Sequence, residues 1–197
     1  MKIIGITGPT GAGKSVLHNY FENKGIPCID ADSVYHQMLI PPSDCLDAIR
    51  YEFGDRVFAP DGSLDRAHLG AIVFASPEKL EILNRTVLGK VLCKIRSLIS
   101  DYGQNGFNSV VVDAPTLIES GFNKECSAVI SILAPAEMRI QRIMQRDSLT
   151  REKAELRIKA QKSDDFYRAH SDIVILNDEG QEQLESKMSE ALAGILK

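Results

Sequence analysis

Gly8-Pro9-Thr10-Gly11-Ala12-Gly13-Lys14-Ser15 has the residue types and spacing of a phosphate-binding loop, G-x-x-x-x-G-K-[ST]. The glycines let backbone N–H groups turn inward around a phosphate. A helix expected to begin at Lys14 adds the partial positive charge of its N-terminus. In that arrangement Gly11, Ala12, Gly13, Lys14, Ser15 and Val16 line the nucleotide, which is expected to be ATP. Lys14 reaches the β- and γ-phosphates, and the Ser15 hydroxyl is the expected ligand of Mg2+.

Two acidic positions stand where such a loop could use them. Asp30-Ala31-Asp32 follows the apolar run Pro27-Cys28-Ile29, and ligands on open parallel sheets bind at the carboxyl ends of strands. A carboxylate there can accept the proton of an attacking hydroxyl and orient it at the γ-phosphate. The alternative is that Asp32 caps a helix running through Tyr35 and Leu39. Asp113 ends another apolar run; it either holds a magnesium-bound water or serves as a turn residue before Pro115.

A third group is basic. From Glu137 to Lys162 the chain carries Arg139, Arg142, Arg146, Arg151, Lys153, Arg157, Lys159 and Lys162 against Glu137, Asp147, Glu152 and Glu155. Such a run is ordinarily a solvated helical face laced with i,i+4 pairs. Beside a phosphate loop it reads as a lid that closes over a triphosphate, excludes water and brings charge to the transferring group. A lid argues for transfer to a substrate rather than to water. A guanine-reading N-K-x-D motif, expected of a switch GTPase, is absent from the sequence.

These groups need a scaffold, and the chain offers alternating short apolar runs and helical patterns, the signature of a parallel α/β sheet. Five strands are expected, at Ile3-Ile4-Gly5-Ile6, Pro27-Cys28-Ile29, Val110-Val111-Val112, Val129 to Leu133 and Ile173 to Leu176. One helix runs from Lys14 to before Gly25. Ser76-Pro77 opens a long one towards Ser100, with Leu80, Leu83, Val87, Val91, Ile95 and Leu98 at steps of three or four. Thr150 is placed to cap another helix, and the last begins near Gln181 with Leu184, Met188, Leu192 and Ile195 on one stripe. The stretch of about 31–108 is too long for a simple crossover and reads as a helical subdomain inserted between the second and third strands. A second excursion at about 146–170 is the lid. The expectation is one domain over 1–197 with these two insertions.

Bulk properties narrow the partners. The net charge of −4 gives no basic footprint for a nucleic acid. The widely spaced Cys28, Cys45, Cys93 and Cys126 suit four reduced, mostly buried thiols rather than a disulfide scaffold or zinc site. No run approaches the length of a membrane span, and no apolar leader follows Lys2. The expectation is a cytoplasmic protein with a small-molecule partner.

Beyond the loop and Asp30-Ala31-Asp32, further pieces follow in order. They are Phe53-Gly54, then Asp61-Gly62-Ser63-Leu64-Asp65-Arg66 with Leu69 and Phe74, and Pro115-Thr116-Leu117-Ile118-Glu119. Arg142 and Arg146 come next, then Arg157-Ile158-Lys159-Ala160-Gln161 and Asp172-Ile173-Val174-Ile175-Leu176-Asn177. In this order and spacing the chain resembles the dephospho-CoA kinase family over nearly its full length.

The resemblance implies a P-loop kinase core with sheet order 2-3-1-4-5, an acceptor-binding insertion at about 31–108 and a lid at about 146–170. It implies transfer of the ATP γ-phosphate to the ribose 3'-hydroxyl of dephospho-CoA, giving CoA and ADP with magnesium, the last step of coenzyme A biosynthesis. Asp32 then takes the general-base role, with Lys14 and Arg142 beside it in catalysis. Arg142, Arg146 and Asn177 fall on the nucleotide side, and Asp30, Arg66, Pro115 and Leu117 on the acceptor side. One position departs from the pattern. Where the family has Thr-His-Pro, this chain reads Val87-Leu88-Gly89. The alternatives are a P-loop kinase for another nucleotide or nucleoside, and a nucleotide-binding protein that no longer catalyses.

Overall fold

Runs rich in Val and Ile become the strands of one parallel sheet in the computed structural model, which describes residues 1–179 and 181–195. The strands are β1 (Lys2–Thr7), β2 (Cys28–Asp30), β3 (Ser109–Asp113), β4 (Ala128–Leu133) and β5 (Ile173–Leu176), in the order β2-β3-β1-β4-β5. β1 sits at the centre, with Ile4 opposite Val111 of β3 and Ala128 of β4. All six residues of β4 are buried, which is why its sequence shows no alternation of apolar and polar residues. The expected sheet order is the observed one.

Helices cover the sheet and fix its loops. Leu17 and Phe21 of α1 (Lys14–Asn23) and Leu184, Met188 and Leu192 of α9 (Gln181–Leu192) share one core with Ile4, Ile6, Ile130, Ile132 and Ile175. Elsewhere Ile118, Leu133 and Tyr167 form a second cluster, Tyr167 coming from α8 (Asp164–Ala169). α6 (Ala136–Asp147) and α7 (Arg151–Lys159) share a small core of Ile140, Ile143 and Ala154. Thr150 stands at the N-cap of α7 but its side chain makes no cap hydrogen bond, so the expected capping is by position alone.

Residues 1–29 and 102–197 make one compact unit, and residues 30–101 another with its own core. The second contains α2 (Ala31–Met38), α3 (Asp44–Phe53), α4 (Arg66–Phe74) and most of α5 (Pro77–Gln104). Leu39, Cys45, Leu46, Ile49, Phe53, Val57, Leu69 and Val73 are buried together, and Leu80, Leu83 and Val87 of α5 pack on them. Further along, α5 buries Val91, Ile95 and Ile99 rather than Leu98, since steps of four keep one stripe on one side. The thiols are all free, as expected: Cys45 is buried, Cys28 and Cys126 are half-buried, and Cys93 is exposed, a departure from the expectation of burial. Burial pushes the Cys28 and Cys126 thiols up to about 12, aided by nearby carboxylates. Among the described residues no helix is long and apolar enough to cross a membrane.

Candidate active site

The loop after β1 takes backbone conformations that only glycine accepts without strain. Gly8 has φ 143°, and a Cβ there would lie 2.3 Å from the Ile132 carbonyl oxygen of β4. Gly13, with φ 102°, is the N-cap of α1 in left-handed conformation, and its Cβ would lie 2.4 Å from Asn177 Nδ2. The motif glycines are therefore required by close approach as well as by the turn.

Four consecutive carbonyls of the loop are held by donors. Pro9 O accepts from Ala12 N at 3.2 Å. Thr10 O accepts from Arg139 Nε at 3.0 Å, and Gly11 O from Arg142 Nη1 at 3.1 Å. Ala12 O accepts from Asn177 Nδ2 at 2.8 Å and from Arg142 Nη1 at 3.4 Å. Arg142 Nη2 also donates to Asn177 Oδ1 at 3.3 Å, joining the two holders. Among the described residues the amides of Gly11, Gly13, Lys14 and Ser15 donate to no backbone carbonyl. A loop with its carbonyls bound and its amides unused is a nest for an anion, and α1 adds its dipole.

Lys14 and Ser15 open α1, Lys14 half-buried and Ser15 exposed, and neither side chain has a protein partner among the described residues. Arg146, at the end of α6, is exposed; its Nη2 donates to Thr10 Oγ1 at 3.4 Å and its Nε to Asp147 at 2.8 Å. Arg157 of α7 pairs with the same carboxylate. These two guanidinium groups hold the Asp147 carboxyl down to about 2. Asp113 ends β3 at 9 % exposure, with Oδ2 3.8 Å from His18 Nδ1. An exposed hydroxyl with no protein partner, at the first turn of α1, suits a magnesium ion held mainly by phosphates and water. Among the described residues there is no group of three or more His, Cys, Asp or Glu that could hold a metal ion.

The family model for dephospho-CoA kinase matches residues 2–183. The chain belongs to the dephospho-CoA kinase family. A dephospho-CoA kinase of Dehalococcoides mccartyi is 38% identical over 186 residues, covering 94% of this chain and 93% of that protein. A crystal structure from Thermus thermophilus superposes with a TM-score of 0.79 at 29% identity, covering 98% of this chain and 97% of the other. A dephospho-CoA kinase from Campylobacter jejuni superposes with a TM-score of 0.71 at 27% identity, over 99% of this chain and 98% of the other.

Several residues expected to serve the dephospho-CoA kinase reaction also have structural contacts within the protein. Arg142, expected on the nucleotide side and in catalysis, has its two terminal nitrogens on loop carbonyls and Asn177. Asn177, expected at the adenine side, is 5 % exposed and holds Ala12 O. Leu117, expected on the acceptor side, is fully buried where the missing Cβ of Gly5 would lie 2.6 Å from it. Pro115 is half-buried, and its carbonyl accepts from Thr7 Oγ1 at 3.3 Å.

Within the 30–101 unit, Asp30 is the N-cap of α2. Its Oδ1 accepts from Asp32 N at 2.9 Å and Ser33 N at 3.2 Å, and its Oδ2 from Ser33 Oγ at 3.1 Å. The capping considered for Asp32 thus belongs to Asp30, the residue expected on the acceptor side. Asp32 is left exposed in the first turn, and among the described residues its carboxylate accepts no hydrogen bond. Arg66 is exposed at the first position of α4, after the Asp65 cap. Sequence reasoning missed Arg139 and Gln161 as parts of the loop's support. Arg139 stood among the charges of the basic run and Gln161 in the closing motif, and neither context shows that they meet at Thr10.

Proposed function

We propose that the chain transfers the γ-phosphoryl group of ATP to the ribose 3'-hydroxyl of dephospho-CoA, as a cytoplasmic enzyme of coenzyme A synthesis. One observation carries the reading: the loop's carbonyls at residues 9–12 are bound, while among the described residues the amides of Gly11, Gly13, Lys14 and Ser15 have no partner. Those amides receive the β-phosphate, and Lys14 spans the β- and γ-phosphates. Ser15 is the side chain that would hold magnesium, which would offset the charge of the phosphates. Asp32 accepts the proton of the 3'-hydroxyl as that oxygen attacks the γ-phosphorus, and the bond to the ADP oxygen breaks in line. Asp30 fixes the first turn of α2 and so the position of Asp32. Arg146, already in contact with Thr10, supplies charge at the phosphate side. The segment at about 146–170 acts as the lid, and the unit at 30–101 receives the acceptor, with Arg66 placed for a substrate phosphate. Membership of the dephospho-CoA kinase family and the likeness to the Dehalococcoides mccartyi dephospho-CoA kinase support this assignment of substrate.

The test is Asp32→Asn, which keeps ATP affinity and lowers turnover by a factor of about 100 or more, the usual range for a positioned base. Unchanged turnover removes Asp32 from that role. A second acceptor is favoured by one observation only: α5 presents exposed Leu88 and Gly89 where the family has His-Pro. Turnover of AMP or adenosine exceeding that of dephospho-CoA would move the reading to that acceptor.

A further inference from the structure

We propose that Gln161 and Arg139 are positioning residues for the nucleotide, holding the two successive peptide groups that meet at Thr10. Gln161 Oε1 accepts from Thr10 N at 3.0 Å, and Arg139 Nε donates to Thr10 O at 3.0 Å. Arg139 Nη2 donates to the same Gln161 oxygen at 3.0 Å, so the three residues close a ring. Nη1 of Arg139 lies 3.7 Å from Asp164 Oδ1 in the first turn of α8. Each edge of the guanidinium fork thus has its own partner, which a lysine could not reproduce. Arg139 is 4 % exposed. It is therefore part of the loop's foundation and not a mobile charge above a phosphate.

The Thr10 carbonyl shares a peptide plane with the Gly11 amide of the nest, so free rotation of the planes on either side of Thr10 would turn that amide away from the anion. The carbonyl oxygen of Gln161 has two lone pairs and both are used, one by the loop and one by Arg139. Gln161 itself comes just after α7, its amide bonded to Ile158 O at 3.1 Å. The C-terminal root of the 151–160 helical turn is therefore pinned to the phosphate loop through one side chain. The clasp rests on the reading of the loop as the ATP site, which the control below separates from it.

The experiment measures ADP affinity by calorimetry, steady-state kinetics and amide exchange at Thr10 for Gln161→Leu, Gln161→Asn, Gln161→Glu and Lys14→Ala. Leu removes the acceptor and Asn, one methylene shorter, does not reach. Both weaken ADP about ten-fold, the scale of one lost hydrogen bond to a binding loop, raise KM for ATP similarly, leave KM for dephospho-CoA unchanged and speed Thr10 exchange. Gln161→Glu, whose carboxylate still accepts from Thr10 and Arg139, retains ADP affinity within about two-fold of the original. Should the Leu variant not fold, the Asn variant carries the test. Original ADP affinity in the Asn or Leu variant overturns the clasp, as does loss in the Glu variant equal to that in Leu. If Lys14→Ala also binds ADP normally, the phosphate-loop reading falls with it; if Lys14→Ala alone loses ADP, only the clasp does.

Discussion

Gly13 joins the phosphate loop to α1 at φ 102°, and Asn177 Nδ2 occupies the space a side chain would need. Left-handed backbone alone costs a non-glycine residue about 1–2 kcal/mol, and displacing Asn177 releases Ala12 O from its 2.8 Å bond. Gly13→Ala is thus expected to lower stability by about that amount and to weaken ADP at least about ten-fold. Thermal melting and calorimetry check both, and an alanine variant with undisturbed ADP affinity contradicts the geometry. The loop's glycines, Lys14 and Ser15 were legible because motif chemistry is local in sequence. The holders were not. Arg142, Asn177 and Leu117 were each placed by a family motif, and a motif does not show which protein groups a side chain meets. Arg142 and Asn177 lie on the carbonyl side, and Leu117 fills the void left by Gly5.

α5 shows how an element can differ from its family pattern without breaking. It runs unbroken from Pro77 to Gln104 through Leu88 and Gly89. Gly89 is exposed, and a Cβ there would meet nothing within 4 Å. Gly89→Ala is therefore expected to raise stability by about 0.5–1 kcal/mol through helix propensity, read as a higher melting temperature. A lower one would mean the glycine has a packing role. At the junction of α6 and α7, Asp147 receives Arg146 and Arg157, which hold its carboxyl at about 2, below the ordinary carboxylate value of 3.8. A depressed folded pKa gives stability that is fully present above the unfolded value and is lost as pH falls through the folded one. The melting difference between the original chain and Asp147→Asn should hold steady from neutrality to about pH 5 and close towards about pH 2. A difference that instead grows on acidification contradicts the pairing. Helix ends were readable from Gly25 and Ser76-Pro77, because caps are local. The choice of Asp30 over Asp32 as the cap of α2 was not, since both are good N-cap residues and only the backbone geometry separates them.

At the scale of the molecule, the parallel sheet was legible because strands buried on both faces carry near-continuous apolar runs, as β4 does. Its order, with β1 between β3 and β4, came only with the family resemblance, because apolar runs carry no information about their neighbours. The acidic chain, its phosphate nest and its family membership converge on transfer from ATP to a small acceptor. The most direct test is ADP release from magnesium-ATP with and without dephospho-CoA, with the product weighed by mass spectrometry. The account predicts ADP release that depends on dephospho-CoA and a product heavier by one phosphoryl group. Folded protein that binds ATP yet releases ADP at the same rate without the acceptor, or leaves dephospho-CoA unchanged in mass, would contradict it.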